Sequence, residues 1–161
     1  MKWFFWIGLW LIAVTAHVTA GNPDALLGIW LNEEGTAKIE IYKDNGKFYG
    51  KIVWLKDPVY TEHDVAINAG NPKVKLGVAR VDWKNPDIER QNDPILGLVV
   101  LRGFVYDTDD DEWNAGMIYD PKKGSDYKCF IKMPDPDKIK LRGYVGFSLI
   151  GRTTYWTRTK V

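Results

Sequence analysis

Residues 28–54 read GIWLNEEGTAKIEIYKDNGKFYGKIVW, and this stretch decides the fold. Ala37, Ile39 and Ile41 alternate with Lys38, Glu40 and Tyr42. Phe48, Gly50, Ile52 and Trp54 then alternate with Lys47, Tyr49 and Lys51. Period-two alternation marks strands with one buried and one wet face. Glu34-Gly35 and Asn45-Gly46 supply the turns, and Asn-Gly is a strong hairpin signal because both residues tolerate positive φ. The stretch therefore predicts three strands joined as an antiparallel meander.

The same unit recurs downstream. Residues 97–106 form a nearly continuous apolar strand interrupted by Arg102, and the acidic run 107–112 turns the chain into a strand over 113–120. Pro121-Lys122-Lys123-Gly124 leads into 126–133, and Pro134-Asp135-Pro136-Asp137 into 138–147. In that strand Ile139, Leu141, Gly143, Val145 and Phe147 share a face. A last strand runs over 152–159. Eight short strands without a long helical pattern or a unit repeat predict an all-β sandwich or barrel. Meander order favours an eight-stranded antiparallel up-and-down barrel, since sequential hairpins close without crossing connections.

Two segments stand outside this pattern. Lys2 precedes an apolar run from Trp3 to Val14, too short for a membrane span, and Val18 and Ala20 supply a small-residue cleavage pattern. Residues 1–20 are thus expected to be a signal peptide and 21–161 the mature domain, with an uncleaved anchor as the less favoured alternative. The second segment is the connection 57–96, with Pro58, Pro72, Pro86 and Pro94. So long a connection points to a functional lid or a disordered stretch. Val74–Val78 is a candidate short strand. Asn85 is a candidate cap for a helical turn with Pro86 first, as Asn22-Pro23-Asp24 is for a short helix before Gly28.

Charge and rare residues narrow the function classes. The leader holds Lys2, so the mature chain has equal numbers of basic and acidic residues. A nucleic-acid or anionic-membrane partner held mainly by charge is disfavoured. Cys129 is the one cysteine, in phase with Tyr127, Ile131 and Met133, and reads as a buried core thiol. No internal disulfide can form. His63 is the one mature histidine, so a His/Cys metal site or a catalytic triad lacks its parts; a surface histidine between Glu62 and Asp64 is the simpler reading. Asp107, Asp109 and Asp111 open like a calcium loop, but Glu112 stands where glycine is required and Ile118 where the bidentate glutamate belongs. A solvated hairpin tip explains them better. A glycoside-hydrolysing carboxylate pair depends on separation in space, on which spacing in sequence is silent.

Gly28-Ile29-Trp30 after a short helical turn, with Arg158 near the chain's end, resembles the lipocalin arrangement, in which a tryptophan plugs one barrel end beneath an arginine. A guanidinium over the ring adds about 0.5–2 kcal/mol. Asp126-Tyr127 is similar to a second lipocalin motif only in those two residues. The wider resemblance is to the bacterial exported family catalogued as domain of unknown function 2147. It rests on GIW (28–30), DNGKFYGKIVWL (44–55), DWKNPD (82–87), DPILGL (93–98), WNAGMIYDPKKGSDYK (113–128) and LRGYVGFSLIGRTTYWTR (141–158). It implies a lipocalin-like barrel in the bacterial envelope, periplasmic or secreted, with no settled activity.

Gly28, Trp30 and Arg158 are assigned to structure. Trp54, Trp83, Arg102 and Tyr119 are the candidate ligand contacts, the first two bracketing the long connection and Arg102 in phase with inward Leu98, Val100 and Phe104. Asp82 to Asp87 reads equally as a mouth-side loop touching ligand or as a turn whose Asp82 and Asn85 bond backbone amides. Small inward residues Ala37, Gly50, Gly143 and Ala115 favour a cavity. The expected function is that of an exported, non-enzymatic protein without cofactor that binds a small apolar or amphipathic ligand, with no stable membrane insertion after cleavage. The alternative is a solid barrel docking on another envelope component through 57–96.

Overall fold

A computed structural model describes residues 21–160; the expected signal peptide lies outside them. Eight strands close a barrel in sequence order: β1 (Gly28–Leu31), β2 (Ala37–Asp44), β3 (Lys47–Leu55), β4 (Val99–Asp107), β5 (Glu112–Asp120), β6 (Ser125–Asp135), β7 (Lys138–Tyr144) and β8 (Gly151–Thr159). Every neighbour is antiparallel, and β1 closes on β8 through Ile29–Thr159, Trp30–Arg158 and Leu31–Thr157. The barrel is the one the alternation predicts. At the β2–β3 turn Asn45 and Gly46 both have positive φ (47° and 78°), as a two-residue hairpin of this twist requires.

The register contains bulges, and each changes which side chains face inward. Lys38 pairs with Trp54 but Ile39 with Ile52, so β3 carries an extra residue at Val53. Strand β4 carries two such irregularities, around Val100 and around Gly103. A fourth lies in β5, where Trp113 pairs with Ile131 but Gly116 with Cys129, and there Ala115 has φ 56°.

One end of the barrel is solid. A 3₁₀ turn at Pro23–Leu26, capped by the Asn22 side chain on the Asp24 amide, lies across it. Leu26 and Trp30 are fully buried there. Above them pack Phe48, Phe104, Trp113, Ile131 and Ile139, with Phe48 and Trp113 edge to face at 6.3 Å. The Trp113 indole also donates to Pro23 O (3.1 Å). Gly50 and Gly116 belong to this packing. A Cβ on Gly116 would lie 2.4 Å from the Phe104 ring, and one on Gly50 2.9 Å from Leu101. Gly50 is therefore small because neighbours fill its space, and Ala115 faces solvent; neither opens a cavity as expected.

The connection between β3 and β4 is ordered. A short helix, α1 (Glu62–Ile67), starts at Thr61, whose hydroxyl takes the Asp64 amide while the Asp64 carboxylate takes the Thr61 amide. That reciprocal capping box is legible as Thr61-x-x-Asp64, a signal outweighed by the prolines around it. Val74–Val78 forms no strand; isolated bridges join Val59 to Ala79 and Val81 to Pro94 instead. The later helical turn is Ile88–Arg90, capped by Asp87 on the Glu89 amide rather than by Asn85, whose side-chain oxygen takes the Asp87 amide in the turn just before it.

Candidate functional site

At the closed end, the Arg158 guanidinium carbon lies 4.2 Å from the Trp30 ring centroid. Its nitrogens donate to Leu27 O, Ala25 O and Pro136 O (2.9, 2.8 and 2.8 Å), and the Trp30 indole donates to Leu26 O at 2.9 Å. Gly28 has φ 126°, and a Cβ there would approach Arg158 to 3.0 Å, so glycine lets the arginine reach the ring. This end is a plug.

The opposite end is hollow. A cavity of about 790 Å³ enters between the β1–β2, β5–β6 and β7–β8 turns and the 57–96 connection. That size lies within the few-hundred to one-thousand Å³ typical of small-molecule pockets. Its deep wall is apolar, with Ala37, Ile39, Ile52, Val100, Leu141 and Trp156. Gly143 leaves room beside Ile118, where a Cβ would sit in ordinary contact at 3.4 Å. The rim is charged and carries both signs, including Glu34, Asp64, Arg80, Lys122 and Arg152.

Glu34, on the β1–β2 turn, pairs with Lys122, on the β5–β6 turn, and Arg152 of β8 stands 3.8 Å away. These turns are on opposite sides of the strand order, so the ion pair crosses the mouth. The hydrogen bond from Lys122 holds the Glu34 carboxyl below its ordinary range, against the upward push of partial burial. Lys84 Nζ donates to Lys122 O (2.8 Å) and ties the long connection to the same turn.

Asp64 receives both terminal nitrogens of Arg80 (2.9 and 2.7 Å). Partial burial pushes its carboxyl up, but Arg80 and the Thr61 hydroxyl and amide outweigh that and bring it down to about 2, from 3.8. A carboxyl depressed by folding stabilises above its ordinary value and loses that contribution as pH falls through the folded one. The 57–80 part of the connection should therefore become protease-sensitive between about pH 4 and pH 2. Asp64→Asn should show that sensitivity already at neutral pH, as measured by cleavage rate.

The candidate contacts separate. Trp83 lines the cavity. Trp54 does not: the bulge at Val53 turns it to the outer face, under Lys38 (5.2 Å), and sends Leu55 to the wall instead. Arg102 also faces out and pairs with Asp126, because the β4 irregularities place Val100, Leu101 and Phe104 inward and Arg102 between them outward. Tyr119 is buried but outside the cavity; its hydroxyl donates to Asp82 (2.9 Å), which also accepts from the Asn85 amide (2.7 Å). Burial and then that carboxylate push the Tyr119 phenol upward. In the 82–87 block Asn85 takes the Asp87 backbone amide, as the turn reading expects, whereas Asp82 accepts from side chains only and pegs the loop to β5, and Trp83 faces the cavity. Sequence reasoning missed Trp156, Arg80 and the Glu34–Lys122 pair.

The rare chemical groups are elsewhere. His63 is exposed on α1. Burial pushes the Cys129 thiol up to about 12. In the acidic turn, Asp107 takes the amides of Asp109 and Asp110 and the Asn114 side chain, and Asp111 takes the Tyr106 hydroxyl. Among the described residues no group of three or more His, Cys, Asp or Glu is placed to hold a metal, and no helix is long and apolar enough to cross a membrane.

An eight-stranded antiparallel meander, plugged at one end by a tryptophan under an arginine and hollow at the other, is a lipocalin-like barrel. The family model described as "Uncharacterized protein conserved in bacteria (DUF2147)" matches residues 28–158, and the chain belongs to that family. A solved structure titled "Protein HP1028 from the human pathogen Helicobacter pylori belongs to the lipocalin family" is similar, with a TM-score of 0.65. The two are 19% identical over 84% of this chain and 83% of that one, a likeness of fold. No curated protein matches the chain.

Proposed function

We propose that this protein is an exported, non-catalytic binder of one small apolar or amphipathic molecule, held in the upper half of the barrel. The observation that carries the reading is the hollow itself: an apolar floor beneath a rim of both charges, in a barrel whose other half is packed solid. Eight strands give an interior that side chains can fill, or that can hold one ligand, and here the upper layer is left unfilled. A ligand with an apolar body and a polar end matches the change from floor to rim. The hollow weighs against the alternative of a solid barrel docking through 57–96.

The non-catalytic part is supported by the position of the histidine, exposed on α1, and of the thiol, buried among core residues. Export is supported by the leader pattern. The mature protein is expected to begin at Gly21 and to be found outside the cytoplasm; an intact Met1–Ala20 segment by mass spectrometry would contradict it.

Binding is tested by titrating long-chain acids and their uncharged alcohols while following tryptophan fluorescence, since Trp83 and Trp156 lie on the wall. Saturable quenching or shift is expected with both series. Arg102→Leu should leave both affinities unchanged, because Arg102 sits outside the cavity. Failure of every ligand to saturate would remove the reading.

A further inference from the structure

The β7–β8 turn differs from the other turns at the mouth. Strand β7 ends at Tyr144, and Gly146 (φ 69°) turns the chain out before the face-sharing pattern reaches Phe147. Val145, Phe147, Leu149 and Ile150 are then 64%, 79%, 90% and 70% exposed on a single tip. Scattered exposed apolar residues are ordinary, but four together on one protruding turn mark an interaction surface. Ile67 of α1, 66% exposed, joins them at the cavity mouth.

The outer carbonyls of this tip are bonded from within. Val145 N donates to Ile150 O and Ile150 N to Phe147 O, while the Arg142 guanidinium donates to Ser148 O and Leu149 O. Four successive carbonyls, from Phe147 to Ile150, therefore each have a donor within the protein. Those four carbonyls can enter the interfacial layer without losing partners, while the free N–H groups of the tip stay available to headgroup oxygens. Cations stand on the same rim: Lys122, Lys123 and Arg152, with Lys122 and Arg152 largely exposed and sharing Glu34. Apolar side chains flanked by Lys and Arg match the layered chemistry of a leaflet with anionic headgroups.

We propose that the β7–β8 tip docks the mouth of the barrel on the surface of an anionic lipid bilayer, with Phe147, Leu149 and Ile150 entering the headgroup–acyl boundary and the rim cations meeting phosphates. The occupant is a bilayer rather than a protein groove because the tip pairs apolar projection with internally bonded carbonyls and with Lys122, Lys123 and Arg152 on the neighbouring rim, where Glu34 is shared by two of the three. The contact is peripheral, goes beyond the cavity reading and would place the opening against a source or destination of apolar molecules.

The test is flotation of the mature protein with vesicles of phosphatidylethanolamine and phosphatidylglycerol, against phosphatidylcholine alone. The wild type should float with the anionic vesicles and less with the neutral ones. Phe147→Ser with Leu149→Ser should lower binding on the order of tenfold or more, and Lys123→Glu with Arg152→Glu should remove the anionic preference. Phe147→Trp should add a blue-shifted emission on vesicle addition. These side chains are exposed, so an unchanged thermal transition serves as the folding control. Absence of wild-type flotation, or equal flotation of the double serine variant, overturns the proposal. A dimer in vesicle-free solution that the serine variant dissolves would assign the tip to a second copy and overturn it too. Dye binding measured on the same variants separates this result from the cavity: flotation lost with dye binding retained leaves the ligand reading intact, and the reverse leaves the docking intact.

Discussion

Replacing Trp30 by alanine is expected to cost about 3–5 kcal/mol, the largest loss from any single side chain at the closed end. Trp30 is fully buried, and its removal takes away the floor on which Leu26 and the lower core pack. Arg158→Ala should cost less but more than an exposed charge would, because it strips donors from Ala25, Leu27 and Pro136 carbonyls as well as a cation from the ring. Arg158→Lys should recover only part, since an ammonium cannot hold three carbonyls in one plane and cover the indole. The double mutant should be less destabilised than the sum of the singles, with a coupling of about 0.5–2 kcal/mol. Strictly additive losses in chemical denaturation would show that ring and guanidinium do not act as a unit.

The second large effect is expected at Asp82. Its carboxylate is buried and holds Tyr119 from the barrel and Asn85 from its own loop. Asp82→Ala would leave two buried donors unpartnered, a loss of about 2–4 kcal/mol. The loss should be local first. Hydrogen exchange should rise across residues 80–95 before it rises in the strands, because this carboxylate is the peg between the connection and β5. Tyr119→Phe takes one of two donors from the buried carboxylate but leaves Asn85 on it, and should cost about 1–3 kcal/mol. An Asp82→Ala protein with unchanged exchange in that segment would mean that the loop is held by something other than this pair.

The barrel was legible because alternation and turn chemistry are local properties. Asn45-Gly46, the Pro-Lys-Lys-Gly turn and the Pro-Asp-Pro-Asp turn each mark a hairpin without reference to the rest of the chain. The plug was legible from Gly28, Trp30 and Arg158 for a different reason, since their arrangement resembles one already familiar. The cavity wall was not, because facing depends on register, and one bulge reverses it. Val53 is an ordinary strand residue, yet its extra place turns Trp54 outward and brings Leu55 in. The irregularities around Val100 and Gly103 do the same to Arg102. Tyr119 shows a further limit: it faces away from the interior and is buried only because a loop 37 residues earlier in the chain covers it. The Glu34–Lys122 pair joins turns 88 residues apart, a proximity that exists only once the barrel has closed.

Whether the ligand occupies the upper barrel is decided by filling that space. Gly143 has an unstrained backbone, and a side chain there would extend from β7 past Ile118 into the cavity. Gly143→Leu should therefore leave the thermal transition within a few degrees of the wild type, since it occupies empty volume rather than displacing packed atoms. In an equilibrium titration with an apolar, polarity-sensitive dye, the wild type should saturate at one dye per protein, and Gly143→Leu should weaken binding by about tenfold or more, as a lost pocket of several methylene groups implies. Undiminished, one-to-one binding by a folded Gly143→Leu protein would contradict the account and move the site out of the barrel.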